Sequence, residues 1–546
     1  MKIQYKDKIF EADKGKRITE LFEEEIKNSE HAVISAVFNN EYVNLDYKIN
    51  EDGVVKLVDI STKEGMRIYR RTLIYILSKA LKNMNLEYRI TVNHQLYNAT
   101  FCEVDNVAIT EKFVRDVSEE MRRIIKKNLP IEKVVMTREE ASNFYKRNKT
   151  SRGLLQYDLE ENKEIKMYFC EDYFNYCYGE LANRTGITKI FEIMKYKDGI
   201  LMRYPDTNKP EQMAKLIQYR KIEWALDEYD DIHKILNVNT VYKLNTAIEQ
   251  DRIKDVIMLD EALHEKKIAK IADKIAKNRK IKMILIAGPS SSGKTTFAQR
   301  LGIQLRLNRI KPVTISVDNY FVERKDTPRD ENGNYDFECI EAIDLELFNE
   351  HLNKLLHGKE IEMPEFDFYE GKKKYKGKKL RLHKDEVLVI EGIHCLNDKL
   401  TSRIPKSQKY KIYISALTVL NMDRYTRISS GDTRLIRRIV RDHQFRGYSA
   451  KHTLKNWKMV TRGETKNIFP FQEDANTIFN TSLIYELGVL KGLAIPMLKE
   501  VKKEDEEYAE AERLINVLKY IKTIPTEDVP SNSLLKEFVG GGNFKY

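Results

Sequence analysis

The chain has 546 residues, 42% of them hydrophobic and 33% charged, with a net charge of +11. That length exceeds a single hydrophobic core and predicts roughly three or four domains, and no run nears the roughly 18 apolar residues of a membrane span. The basic balance suits nucleic acid, anionic lipid or phosphate-bearing substrates and does not choose among them.

The N-terminus, MKIQYKDKIF, lacks the apolar core of a secretory signal. The five cysteines, Cys102, Cys170, Cys177, Cys339 and Cys395, are scattered and form no C-x-x-C pair. A reduced, cytoplasmic setting without a membrane partner is expected, and neither a disulfide framework nor a cysteine-rich zinc site is indicated.

Residues 1–60 carry short β-type runs at Ile3–Tyr5, Ala32–Phe38 and Val54–Val58, with a helical stretch at Arg17–Lys27. Asn39-Asn40-Glu41 and Glu51-Asp52-Gly53 are turn signals. Together they predict a small α+β domain. The next expected unit, 61–230, opens on a helix at 66–84 with Ile68, Leu73, Ile76, Leu77 and Leu81 at apolar positions. It continues as a mixed α/β region. Residues 231–281 predict a helical connector marked by Leu259, Leu263, Ile268 and Ile271. Over 282–500, strand and helix patterns alternate, which predicts a parallel sheet covered on both faces. Residues 501–546 hold a charged helix, Glu504–Ile521, and a Pro/Ser/Gly-rich tail. No internal repeat is visible.

The alternating region opens on Gly288-Pro289-Ser290-Ser291-Ser292-Gly293-Lys294-Thr295, a complete G-x-x-x-x-G-K-[ST] phosphate loop followed by Thr296. Lys282–Ala287 before it is a strand pattern, and Thr296–Leu307 after it is a helix pattern. This context aims backbone N–H groups and a helix N-terminus at phosphate. ATP or GTP with Mg²⁺ is the expected cofactor. Lys294 is expected to reach the β- and γ-phosphates, and Thr295 to hold Mg²⁺.

Further strands at Pro312–Val317 and Glu386–Ile390 end in Asp318 and Glu391. In an open α/β sheet both acids face the edge where ligands bind. A carboxylate in the first place can accept a hydroxyl proton, and one in the second can help hold Mg²⁺. In DTRLIRRIVRD (432–442), Arg434, Arg437, Arg438 and Arg441 share one helical face, with Arg446 beyond. With few acids at pairing distance along the helix, this face predicts a mobile lid closing over a phosphoryl group. Six lysines between Lys372 and Lys379 crowd around Gly377 and predict a hairpin, solvated or steering anionic nucleotide.

These segments, GPSSSGKTT (288–296), VDNYF (317–321), YDFECIEAID (335–344), MPEFDF (363–368), VLVIEGIH (387–394) and DTRLIRRIVRD (432–442), resemble the uridine kinase and phosphoribulokinase group of phosphate-loop kinases. The resemblance implies phosphoryl transfer from a nucleoside triphosphate to the 5′-hydroxyl of a nucleoside. It makes Asp318 the general base, gives Lys294 and Thr295 to ATP and Mg²⁺, and lets Glu391 assist the metal. It places Phe321, Glu338 and Phe366 in the nucleoside pocket and Arg434, Arg437 and Arg441 in the substrate- and phosphate-binding segment. Glu338 stands where the family has an Asp for the ribose hydroxyls, Phe366 where it has a Tyr, and Gly371 where the uridine enzymes have a base-reading His. The identity of the base is therefore open.

Residues 1–60 resemble a TGS domain, a β-grasp module of threonyl-tRNA synthetases. Residues 61–230 resemble the second, editing-type domain of those enzymes through EGMRIYRRTLIYIL (64–77), NHQLYNATF (93–101) and CYGELANRTGITKIFEIMKY (177–196). The synthetase H-x-x-x-H helix positions are Arg71 and Tyr75 here, and its Cys…His pair is Cys177 and Leu181. One ligand-type residue of four remains, so zinc is not expected, since zinc needs three or four ligands.

The expected architecture is therefore an α/β phosphate-loop kinase domain with a parallel sheet, preceded by a β-grasp domain and an α+β synthetase-like domain. The expected activity is an ATP- and Mg²⁺-dependent nucleoside kinase of uridine/cytidine kinase type. A kinase of another small alcohol, such as a sugar phosphate, and an RNA-binding regulator switched by nucleotide remain alternatives. An RNA or small-molecule ligand for the N-terminal module and a homo-oligomeric state stay open.

Overall fold

The computed structural model describes residues 1–85, 87–96, 99–148, 164–217, 220–329, 333, 335–367 and 370–545, the side chains of 229–234 excepted. Residues 149–163 of the expected mixed region, Tyr97 and Asn98 of the NHQLYNATF segment, and Phe368 of MPEFDF lie outside the described residues.

The first 60 residues build a five-stranded sheet from β1 (Lys2–Tyr5), β2 (Lys8–Glu11), β3 (Val33–Phe38), β4 (Glu41–Val43) and β5 (Gly53–Asp59), in the order β2-β1-β5-β3-β4. β1 and β5 run parallel, and the other pairs are antiparallel. Asn39 and Asn40 join β3 to β4 with φ of 48° and 61°. Asn tolerates that left-handed pair, which matches the twist of a tight hairpin. Ile3, Ile18, Phe22 and Phe38 fill the small core.

The helix Lys63–Met84 starts at Thr62, whose side chain accepts from the Gly65 N–H. Its apolar face, including Ile68, Leu73, Ile76 and Leu77, packs with an antiparallel sheet into one core. That sheet contains β6 (Arg89–Leu96) and β7 (Ala99–Asp105). A second sheet is made by β8 (Glu132–Thr137), β9 (Glu164–Cys170) and β10 (Tyr173–Tyr176) in the order β10-β9-β8. β11 (Glu192–Tyr196) and β12 (Gly199–Arg203) complete the first sheet in the order β11-β12-β7-β6, and β13 (Pro205–Asp206) pairs with β14 (Lys209–Met213). Helices Arg220–Leu236, Val241–Glu249 and Ile253–Lys277 follow. In the last, Ile268 and Ile271 are buried, but Leu259 is 53% exposed.

The parallel sheet is formed by β15 (Met283–Ala287), β16 (Lys311–Ser316), β19 (Glu386–Glu391), β20 (Lys409–Ser415) and β21 (Thr477–Asn480), in the order β16-β19-β15-β20-β21. Between β16 and β19 lies an antiparallel hairpin of β17 (Ile361–Asp367) and β18 (Lys372–Leu380). Alternation along β15 sends Ile284 and Ile286 into one core and Met283, Leu285 and Ala287 into the other. A strand buried on both faces has this signature. Every residue of β15 is buried, so the loop that follows leaves the middle of the sheet.

The final segment is no loose tail. Leu534, Leu535 and Phe538 are fully buried in the core that also holds Leu435 and Ile436 of the arginine-rich helix. The N-terminal region and the parallel-sheet region meet along several bonds. Tyr176 Oη donates to Asp423 at 2.7 Å, and Asn421 Nδ2 donates to the Val92 carbonyl at 3.0 Å. Arg67 and Arg513 both pair with Asp432, at 3.0 and 2.7 Å. Burial pushes the Asp432 carboxyl up, but the two guanidiniums hold it below the ordinary range.

Candidate active site

The phosphate loop runs from the end of β15 into the helix Lys294–Leu307. Gly293 takes φ of 83° at the helix N-cap, a left-handed turn that glycine adopts without steric cost. Lys294 Nζ folds back onto the loop and donates to the Gly288 and Pro289 carbonyls at 3.0 and 3.2 Å. Thr295 Oγ1 lies 3.3 and 3.4 Å from the two Glu391 carboxylate oxygens. Glu391 ends β19, the strand beside β15. Burial raises its carboxyl to about 7; Lys294 opposes this, while Glu537 and Asp318 add to it.

Asp318 follows β16 in a single 3₁₀ turn, Val317–Tyr320, whose cap is Ser316. Its side chain reaches solvent. The protein around it still strips enough water to raise its carboxyl above the usual range, while Lys294 and Arg446 pull it back. Loop lysine, Thr295, Glu391 and Asp318 thus gather at one edge of the parallel sheet. A hydroxyl beside a carboxylate offers the hard oxygens that suit Mg²⁺, which keeps water and phosphate as its other ligands.

Glu338 lies against Gly463, with its Cβ 2.9 Å from where a Cβ on that glycine would stand. Burial raises its carboxyl to about 7, with Glu464 adding and Arg438 and Lys294 opposing. Phe321 and Phe366 are 8% and 6% exposed and belong to a core cluster. Their ring centroids are 5.5 Å apart, and the half-exposed Phe337 stands 6.1 Å from Phe321. Gly371 has φ of 69°, and a Cβ there would come within 2.7 Å of the Arg324 side chain. Arg324 thus fills the space in which a side chain at position 371 would begin.

The arginine face departs from the expected open lid. Ser430–Arg446 is a helix packed onto the loop, with Arg434 5% exposed and Arg437 fully buried. Arg434 donates to both oxygens of Glu464, at 2.5 and 2.9 Å, and to the Ser290 carbonyl at 3.2 Å. Arg437 Nε donates to Glu486 at 2.5 Å, and its Nη2 donates to the Thr481 carbonyl at 2.8 Å. The acids lie 30 and 49 residues downstream, so a search along the helix could not find them. Arg441 pairs with neighbouring Asp442 at 2.8 Å. Arg438 pairs with Asp442 as well and donates to Ser290 Oγ at 2.7 Å.

Two acids at the loop carried no motif. Glu464 accepts from the Ser290 N–H at 2.8 Å. Glu537 accepts from the Thr296 N–H and hydroxyl at 3.1 and 2.7 Å. Both reach the loop from distant segments, and only the tertiary fold could reveal them. Lysines of the hairpin are paired: Lys374 with Asp367 and Glu370 and Lys376 with Glu365 within it, Lys379 with Glu360 just before it, and Lys373 with Asp344 at the start of the helix Leu345–Leu356.

In the N-terminal half, Tyr75 Oη donates to the carbonyls of Tyr168 and Tyr173 at 3.1 and 3.2 Å. Tyr75 and Leu181 lie in one apolar cluster, with Cys177 against it. Arg71 Nη1 donates to the Glu180 carbonyl at 2.5 Å. The four positions do come together, but a guanidinium, a phenol and a leucine leave one thiol, a donor set that does not fit zinc. Among the described residues no helix is long and apolar enough to cross a membrane.

Residues 283–483 match the Phosphoribulokinase / Uridine kinase family. The N-terminal region is similar to threonine–tRNA ligases. One, from Clostridium novyi (strain NT), is 28% identical over 232 residues, 42% of this chain and 36% of the ligase. Another, from Caldanaerobacter subterraneus subsp. tengcongensis, is 27% identical over 222 residues, 40% of this chain and 34% of the ligase. The chain thus spans about a third of the length of these relatives. Among solved structures, a possible uridine kinase from Bacillus stearothermophilus aligns at 19% identity, covering 37% of this chain and 89% of that one, with a TM-score of 0.22. The YGR205w protein aligns at 15% identity, covering 35% and 80%, with a TM-score of 0.26. The chain thus joins a C-terminal region that matches the Phosphoribulokinase / Uridine kinase family to an N-terminal region similar to threonine–tRNA ligases.

Proposed function

We propose that the kinase region transfers the γ-phosphoryl group of ATP to the 5′-hydroxyl of a nucleoside of the uridine/cytidine type. The observation that carries this reading is the convergence of Lys294, Thr295, Glu391 and Asp318 at one edge of the sheet. The acceptor oxygen attacks the γ-phosphorus, the bond to the β–γ bridging oxygen breaks, and ADP leaves. Asp318 orients the hydroxyl and takes its proton. Lys294 turns from the loop carbonyls to the β- and γ-oxygens. Loop amides between Gly288 and Thr296 hold the triphosphate, Arg441 serves the phosphate side, and the buried Arg434 and Arg437 brace the loop through the Ser290 and Ser291 carbonyls. Thr295 and Glu391 would hold Mg²⁺, which neutralises charge on the phosphates when bound. Phe321 and Phe366 offer an apolar wall for a base, and Glu338 an acceptor for ribose hydroxyls.

A second acceptor class has one observation in its favour. Arg324 packed on Gly371 brings a guanidinium to the place of the base reader, and a cation there suits the phosphate of a sugar phosphate. A phosphoryl-transfer screen of the full chain over nucleosides and sugar phosphates, with Lys294→Ala as control, separates the two. Turnover on nucleosides alone supports the first reading. Turnover on sugar phosphates alone replaces it. No turnover on any acceptor, together with a salt-sensitive tRNA affinity, points to a nucleotide-switched RNA binder.

For the N-terminal region we propose a ligand- or RNA-sensing or structural role without editing hydrolysis. Support comes from Arg71, Tyr75 and Leu181 at the positions of metal and editing groups. Elemental analysis of purified protein is expected to find no stoichiometric zinc; one zinc per chain would refute this reading.

A further inference from the structure

We propose that Glu537 is an internal anion seated in the phosphate-binding turn, so that the C-terminal segment gates nucleotide entry. The inference rests on the phosphate-loop reading of 288–296 and adds a competitor within the chain.

One carboxylate oxygen of Glu537 accepts both from the Thr296 backbone N–H, at 3.1 Å, and from the Thr296 hydroxyl, at 2.7 Å. Thr296 lies in the first turn of the 14-residue phosphate-loop helix. N–H groups in that turn are what a phosphate loop offers to the α- and β-phosphates, and the helix dipole favours any anion placed there. Two anions cannot share the same donors. A triphosphate that uses the Thr296 N–H must therefore displace Glu537.

The segment is built to hold this position. Leu534 packs directly on the loop, 2.5 Å from where a Cβ on Gly293 would stand. Phe538 lies beneath the Arg437 guanidinium, 5.0 Å from ring centroid to Cζ. Leu534, Leu535 and Phe538 are fully buried. Ser533 Oγ lies 3.3 Å from Tyr485 Oη, which donates to Glu261 at 2.8 Å. Lys536 Nζ donates to the Thr526 carbonyl at 2.9 Å. With the backbone anchored on both sides, only the Glu537 side chain needs to swing out. Each nucleotide that binds thus breaks a pair of charge-assisted hydrogen bonds.

The test is ATP binding by calorimetry to full-length wild type, Glu537→Gln, Glu537→Ala and Lys294→Ala. Gln keeps the shape and removes the charge, so it carries the test if the Ala variant fails to fold. The expected result is an ATP Kd about tenfold tighter in both Glu537 variants, the scale of a lost charged hydrogen bond. Binding seen only in the Glu537 variants would support the gate as well. Unchanged or weaker ATP binding in the Glu537 variants would overturn it. If wild type binds ATP in that case and Lys294→Ala does not, the nucleotide site stands without a gate. If none of the proteins binds ATP, the phosphate-loop reading falls and the gate with it.

Discussion

Asp318, in the turn just past β16, and Glu391, at the end of the neighbouring β19, are carboxylates that both feel Lys294. Their environments assign different work. Asp318 stays open to solvent, where an acceptor can reach it. Asp318→Asn is expected to lower turnover about a thousandfold while ATP binding stays near wild type. Turnover within a few-fold of wild type would remove the base assignment. Glu391, raised to about 7, must give up its proton to serve a cation. The Mg²⁺ dependence of nucleotide binding is therefore expected to strengthen from pH 6 to pH 8, and Glu391→Gln to flatten it. A pH-independent wild type would argue against Glu391 as the metal carboxylate. Asp318 and Glu391 were legible because both end strand patterns next to a complete loop motif. Glu464 and Glu537 were not, because an acid far away in sequence carries no sign of the amide it will meet.

The arginine helix was legible as an element, but its role was not. Spacing puts Arg434, Arg437 and Arg441 on one face, which is true of a lid and of a packed helix alike. The distinction lies in Glu464 and Glu486, which bury two of those guanidiniums. Removing one partner of a buried pair leaves an uncompensated charge and typically costs about 3 to 5 kcal/mol. Arg437→Ala is therefore expected to lower the thermal midpoint sharply. Arg441→Ala, nearer the surface, should cost under about 1 kcal/mol. Equal midpoints for both variants, with activity lost, would return the helix to a mobile-lid role. The phosphate-loop helix shows a similar limit. Its apolar positions Phe297, Leu301 and Leu305 are fully buried, yet Ile303, of the same hydrophobicity, is 46% exposed. Composition marked the helix, and only packing chose its face.

At the scale of the whole molecule, the helix Ile253–Lys277 is tied to the C-terminal region through buried polar groups. Asp260 accepts from the Ile484 N–H at 2.7 Å. Burial raises its carboxyl to about 8, with Glu261 and Glu486 adding to the effect. A raised carboxyl contributes stability that is complete below the unfolded value, about 4. That stability declines as pH rises toward the folded value, because the unfolded chain has already lost the proton. Wild-type stability is thus expected to fall between pH 5 and pH 8 by up to about 1.4 kcal/mol per pH unit from this group. Asp260→Asn should remove that slope in thermal melts. An identical slope in both proteins would mean that Asp260 is ionised in the fold.

What the sequence determined by itself was local or periodic. It set the Asn39-Asn40 hairpin, the alternation that buries β15 on both faces, the glycine loop and the acids at strand ends. These follow from backbone geometry and nearest-neighbour chemistry, which a linear chain carries openly. The tertiary structure decided which charges meet. It paired Arg434 and Arg437 with acids 30 and 49 residues away, set Arg324 on Gly371, and brought Glu537 across 241 residues to Thr296. Electrostatic partners are chosen by distance in space and by the loss of water around them, and neither is written in the order of residues.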